Sequence, residues 1–590
     1  MPNIPCTTAR PATVSAPNRR PGARDGNKRH PPASPLGTAV SAAHAAGIGQ
    51  GATSNMDAAT ARDMTARPDD GRALPDLRVM LTAQEAYPYL ESLFLQAQDR
   101  IAFSFRVFDP DTPLLSPEAR RTGDTWADLV MHTLDRGVSV RGVISDFDPV
   151  GAPELHRATH RSLRRLAAAA AARGCEARLD IAAHMHPARA GWPFRLLFAP
   201  LARHRLAAIA RRCAAQGPET CAALLADMPG LAPYLRARGE ETGPRSVPPQ
   251  PRPGALPMLH PCSHHQKIAV ADGRRASIGG LDLDRRRLDS PEHDKAAKRT
   301  WHDVQIGLTG AVAAAAEAHL AAFRSEVAGR TPPAARPGLL RTLSARRNGL
   351  GALALGPRPL LTDIFARTVQ GARGADRLIY LETQFLRDLR LARVLAARAR
   401  AAPRLGMILV LPAAPEDAAF SGDTGFAIRF GEHLQARCLG VLRRAFGPRL
   451  TVIAPAQPRG VAPDGSRAVL CGAPIVYVHA KVSVFDDTCA IVSSANLNAR
   501  SHRWDTEAGV ALEDPAQVGA LRRRLMAHWL PEDAATAFFE PDRAPRAWQA
   551  LAETNSRTAP GHRRGFLLPF PETRTRRFGR PLPLMPHEMV

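Results

Sequence analysis

Two series of helical and strand-like periodicity run along the chain. In the first, apolar positions at helical spacing over 83–98 lead into a strand-like run over 100–108. A helix over 126–135 and a strand over 139–145 follow. The second series opens with a helix over 361–371 and continues with strands near 378–381 and 407–411. Each series also holds a short apolar strand, 266–271 and 480–485. Strands alternating with helices predict the α/β class.

The two short strands carry the same pattern. His265, Lys267 and Asp272 are spaced as His479, Lys481 and Asp486 are, and both read H-x-K-x-x-x-x-D. Strand alternation sends the His and Lys of each motif to one side. The surroundings repeat in register. Gly279-Gly280-Leu281-Asp282 and Ser493-Ser494-Ala495-Asn496 follow the motif aspartates at one interval, and the steps Asp99-Arg100 and Asp376-Arg377 precede β-like runs. Downstream, Asp303 and Glu507 each stand beside an apolar strand and an Ala/Leu/Arg-rich helix. Solenoid repeats run about 20–50 residues, so a unit this long is a duplicated domain. The expected organisation is a Pro/Ala/Arg-rich disordered extension over 1–75 and a first domain over 76–335 with an insertion at 149–258. A second domain over 336–535 and a C-terminal extension over 536–590 complete it.

Composition sharpens the reading of the motifs. Of 79 basic residues only five are lysines, and two of the five are Lys267 and Lys481. A compact ammonium on a flexible stem suits a phosphate oxygen, whereas bidentate or stacked recognition favours Arg. The net charge of +24 attracts anionic lipid and nucleic acid alike, and an Arg-rich, Ala-rich composition accounts for part of it. The 5% aromatic content, with no aromatics interleaved in a basic stripe, speaks against specific nucleic-acid binding. The eight cysteines lack regular spacing, which argues against a disulfide framework or a zinc site. No stretch reaches the ~18 apolar residues of a membrane span and no leader core is present, so the expectation is a soluble protein, cytoplasmic or exported without a recognisable signal peptide. Residues 192–212 mix Trp192, Phe194, Leu196, Leu197, Phe198 and Leu201 with five arginines. They suit either an interfacial lipid contact or a helix packed on the core, with Pro200 splitting or starting it.

The duplicated motif, with FDPDTPLL (108–115), GGLDL (279–283), DSPEH (289–293), WHDV (301–304), ETQF (382–385) and SSANLNARS (493–501), resembles the phospholipase D superfamily. The middle segments resemble its phosphatidylcholine-hydrolysing members. The resemblance implies two tandem α/β/α sandwich domains with the active site at their interface. The expectation is a monomer without cofactor or metal, since two His and two Lys supply the needed groups. A phosphodiester repels nucleophiles, so its cleavage needs cations at the non-bridging oxygens, a nucleophile and an acid. By resemblance His265 is the nucleophile and His479 the general acid. Lys267 and Lys481 hold phosphate with Asn496, Ser494 and Asp282, while Glu382 and Gln384 line the substrate. Asp303 and Glu507 orient the imidazoles through Nδ1. Asp272 and Asp486 are grouped with the catalytic set as motif members, although their position suits bracing beyond the strand end. Asp289 and His293 read as a polar loop, and no calcium site is inferred there. The implied activity is hydrolysis of the distal phosphodiester of a phosphatidylcholine-like lipid at a membrane surface, giving phosphatidic acid and head-group alcohol. The alternatives are a cardiolipin synthase-like phosphatidyl transferase, whose usual amino-terminal membrane helices are missing, and a nuclease or nucleic-acid-binding protein of the same superfamily.

Overall fold

Strands too continuously apolar for a half-exposed position form the centres of two sheets, as burial on both faces requires. They are seen in a computed structural model that describes Leu74 and residues 76–590, except 217, 239–246, 253, 463 and 584. Apart from Leu74, the expected disordered extension lies outside the described residues. The first sheet contains β1 (Arg78–Leu81), β2 (Arg100–Phe105), β3 (Ser139–Ser145), β4 (Leu179–His184), β5 (Ile268–Ala271), β6 (Arg275–Gly279) and β7 (Val304–Thr309). The second contains β8 (Leu340–Ala345), β9 (Arg358–Thr362), β10 (Leu378–Thr383), β11 (Gly406–Val410), β12 (Leu450–Pro455), β13 (Lys481–Phe485), β14 (Cys489–Ser493), β15 (Glu507–Leu512) and β16 (Leu567–Pro569).

The first sheet has the order β1-β7-β6-β5-β2-β3-β4 and the second β9-β8-β15-β14-β13-β10-β11-β12-β16. Without its two edge strands the second sheet repeats the first, position for position. In both, three strands run parallel, β2-β3-β4 and β10-β11-β12, and the motif strand joins them antiparallel. The fold is therefore two tandem α/β units. One hydrophobic core lies between them, with Ile268, Val270, Ile278 and Ile306 from the first sheet beside Val482, Val484, Val492 and Val510 from the second.

Some expected boundaries move for identifiable reasons. The motif strands start later than expected, at Ile268 and Lys481, because the residues before them pair across to the other half. His264 bridges Thr506, and His302 bridges Val478. Residues 149–258 are not a pure insertion, since helix Pro153–Ala172 and strand β4 inside that span complete the parallel part of the first sheet. Residues 536–590 are likewise built into the second sheet through β16 and the buried Trp548 of helix Ala544–Arg557. Truncating such a buried Trp to Ala costs about 3–5 kcal/mol. Pro200 begins the second of two helices, Trp192–Leu197 and Ala199–Ala214. No helix among the described residues is long and apolar enough to cross a membrane.

Candidate active site

Each motif histidine sits where its chain leaves its own sheet and bonds to the other half. The backbone N–H of His265 donates to the Thr506 carbonyl at 2.9 Å, and that of His479 donates to the His302 carbonyl at 2.7 Å. The side chains cross in the same way. Nδ1 of His265 lies 3.0 and 3.1 Å from the two Glu507 oxygens, and Nδ1 of His479 lies 2.6 Å from Asp303 Oδ2. The carboxylate that orients each imidazole therefore belongs to the opposite half. When such a pair carries one proton, Nδ1 holds it against the carboxylate and Nε2 keeps a free lone pair.

Both rings open into one cleft of about 610 Å³. Trp301, Gln384, Tyr477 and Asn496 line it together with Arg106, Arg286, Arg287, Arg387 and Arg500. Several of these guanidiniums are held flat by rings, with Arg287 3.7 Å from the Trp301 ring centre and Arg387 3.6 Å from that of Phe385. The two lysines lie beneath the histidines, 0% and 3% exposed. Lys267 donates to the His265 carbonyl at 2.5 Å and faces Asp282 at 3.7 Å. Lys481 donates to the His479 carbonyl, and its Nζ is 2.7 Å from Nδ1 of that ring.

Burial governs the protonation of this cluster. It lowers both imidazoles well below the usual histidine value, helped in each case by the adjacent lysine of the same motif. It brings Lys481 down to about 7 against the pull of Asp303. It raises Asp303 to about 6 and Glu507 to about 8, opposed by Lys481 and Lys267 respectively. Desolvation disfavours every isolated charge here, so protons are held by pairs rather than by single groups.

Several expected site residues stand elsewhere. Asp272 and Asp486, grouped with the catalytic set, are five residues beyond their lysines, about 17 Å along an extended strand. Both adopt positive φ. Asp272 accepts the backbone N–H groups of Gln98, Asp99 and Arg100, and Asp486 those of Asp376, Arg377 and Leu378. They are structural braces that grip the repeated Asp-Arg steps. Glu382, expected to line the substrate, is wholly buried. It bonds Nε2 of His302 at 2.9 Å, the Trp529 indole N–H at 2.8 Å and the Tyr380 hydroxyl. Ser494 donates to Glu507 at 2.5 Å and does not reach the cleft, and Asp282 is buried with Lys267, accepting the Val107 N–H at 2.9 Å. Asn496 and Gln384 do line the cleft, where Gln384 donates to the Tyr477 hydroxyl at 2.8 Å. Asp289 and His293 form no exposed polar loop, since both are buried. The cleft arginines have no signature in the sequence. Arg supplies 74 of the 79 basic residues, so no single one stands out.

A family profile described as "Cardiolipin synthase, PLD-like domain" matches residues 466–529, the stretch holding the second motif and Glu507. No curated protein matches the sequence. Among solved structures, a phosphatidylserine synthase of Haemophilus influenzae aligns at 13% identity and TM-score 0.43, over 85% of this chain and 98% of its own. A polyphosphate kinase of Porphyromonas gingivalis aligns at 11% identity and TM-score 0.36, over 76% of this chain and 46% of the kinase, so the chain spans less than half of that protein. NucT of Helicobacter pylori aligns at 13% identity and TM-score 0.19, over 28% of this chain and 84% of its own. The profile match thus lies in the second half, where residues 466–529 are similar to a PLD-like domain, and the first half repeats that half's strand order and His-Lys motif.

Proposed function

We propose that the protein transfers a phosphatidyl group from a glycerophospholipid to an alcohol through a phosphohistidine, acting as a cardiolipin synthase-like phosphatidyl transferase. The observation that carries the proposal is the pair of imidazoles, each fixed by a buried carboxylate from the other half and opening into one arginine-lined cleft. Nε2 of His265 attacks phosphorus, the bond to the head-group oxygen breaks, and His479 gives that oxygen its proton. The acceptor hydroxyl then passes its proton to His479 and attacks phosphorus, and the P–N bond breaks. The guanidiniums stabilise the charge on the non-bridging oxygens. Both histidines come from one chain, so a monomer suffices.

The profile match to a cardiolipin synthase domain favours an alcohol as acceptor. Water at the same step gives phospholipase D hydrolysis, a reading favoured by the resemblance of 279–304 to phosphatidylcholine-hydrolysing members. Lipid as the substrate class is supported by an apolar surface beside the arginines of 195–212, where Trp192, Leu196, Leu197 and Leu201 are each more than half exposed. The deciding experiment is product analysis on phosphatidylglycerol vesicles, on phosphatidylcholine vesicles with and without glycerol, and on a labelled DNA duplex. Cardiolipin from the first and phosphatidylglycerol from the second with glycerol are expected. Phosphatidic acid alone, even with excess glycerol, selects hydrolysis, and cleavage of DNA alone overturns both lipid readings.

A further inference from the structure

A second histidine cluster lies behind the site. His293 and His302 come from the first half, and His528 ends the helix Pro515–Trp529 of the second. One ring nitrogen from each lies within 4.8 Å of the others. Nε2 of His293 and Nε2 of His528 face each other at 3.0 Å. The opposite nitrogens are already engaged by buried carboxylates: Asp289 takes Nδ1 of His293 at 2.6 Å, and Glu382 takes Nε2 of His302 at 2.9 Å. Each carboxylate is fixed in turn, Asp289 by the backbone N–H of Trp301 at 2.6 Å and Glu382 by the Trp529 indole and the Tyr380 hydroxyl. That leaves Nδ1 of His302 wholly buried with no hydrogen-bond partner.

We propose that His293, His302 and His528 bind a divalent transition-metal ion of the zinc class as a structural site. A carboxylate on the far nitrogen of a histidine fixes its tautomer and turns the other nitrogen toward a metal, and two of the three rings are held in this way. Two nitrogens bound tetrahedrally at 2.0–2.1 Å stand about 3.3 Å apart, close to the His293–His528 separation. Three imidazoles select zinc, cobalt or copper over calcium and magnesium, which take oxygen ligands. Only His528 is partly exposed, which gives an ion its way in. The other grouping of this kind, Asp146 with His156 and His160, carries no such inference. There the Gly230 N–H already donates to Nε2 of His156, and both Asp146 oxygens are bonded to the histidines.

The site has a positioning role. His302 is covalently joined to Asp303, the carboxylate on His479, and its backbone bonds Tyr477 and His479. An ion held here ties the second half's helix end to the segment that presents Asp303.

The test is elemental analysis of the full chain purified with zinc and dialysed, followed by visible spectroscopy after cobalt exchange. About one zinc per chain and a tetrahedral cobalt absorption band are expected for the parent. At least about a tenfold loss of both is expected in His528→Gln, with His160→Gln keeping the parent's content. A parent chain that holds no zinc and gives no cobalt band overturns the proposal without recourse to any variant. Zinc retained in full by His528→Gln overturns it as well. Neither readout requires lipid turnover, so the outcome is separable from that of the proposed transferase.

Discussion

The two halves share a strand order but hold the carboxylates of their histidine pairs differently. In the first, Gly280 stands where the second has Ser494, and a Cβ there would overlap the Asp303 carboxylate. The short aspartate reaches His479 only because the backbone beside it has no side chain. In the second half the longer Glu507 leaves room for a hydroxyl, and Ser494 fills it with a hydrogen bond. The exchange recurs one residue earlier, where Gly279 faces Gln305 and Ser493 faces Gly509, so the small residue has changed strands. The lesson is that the Gly-Gly and Ser-Ser steps follow from the choice of carboxylate on the neighbouring strand.

The carboxylates also differ in proton affinity, Asp303 at about 6 and Glu507 at about 8. Below about 8 the His265–Glu507 pair carries an extra proton, which must leave before Nε2 of His265 can attack. Substitution separates the assignments and has the largest expected effect. His265→Ala and His479→Ala should each lower phospholipid turnover by about 10⁴-fold or more with an unchanged circular dichroism spectrum. With a p-nitrophenol leaving group, which needs no acid, the His479 variant should still give a burst and a labelled phosphohistidine. A burst in His265→Ala instead makes His479 the nucleophile.

Next in size are the orienting groups. Glu507→Gln and Asp303→Asn should cost about 10²–10⁴-fold in kcat by loss of the productive tautomer, and the p-nitrophenyl ester should rescue the Asp303 variant alone. Rescue of both, or of neither, would remove the functional distinction between the halves.

The pH profile gives a smaller and more discriminating signal. Lys481 loses its charge as pH rises through about 7, so the profile is best measured in Lys481→Arg, whose guanidinium stays charged. If His265 attacks, its pair must shed the extra proton, and kcat/KM in this variant for the p-nitrophenyl ester, which needs no acid, should rise about tenfold per pH unit up to about 8. A rise that ends near 6, where the His479–Asp303 pair sheds its own extra proton, makes His479 the nucleophile.

The smallest expected effect tests what the halves have in common. Asp272→Asn and Asp486→Asn should each lower unfolding stability by about 1–3 kcal/mol in denaturant titration. Turnover per folded molecule should not change. Loss of turnover without loss of stability would return either aspartate to the catalytic set.

What could be read from sequence follows the range of the contacts involved. The His-Lys pairs stand out because duplication repeats them and a lysine-poor composition isolates them. Helix Trp126–Asp135 and strand Ser139–Ser145 follow from local periodicity. Glu382 misleads because a carboxylate on an apolar strand resembles a substrate ligand until its partner Trp529, 147 residues away, is in place. The crossing of the carboxylates has no local signature either, since each pairing spans 242 or 176 residues.

That crossing limits how the two halves can move. A hinge that parted the halves would strip both imidazoles of their anions in one motion, leaving neither able to work alone. The crossed pairs thus act as a latch, and a cleft built on them keeps its geometry only while the seam beneath it stays shut.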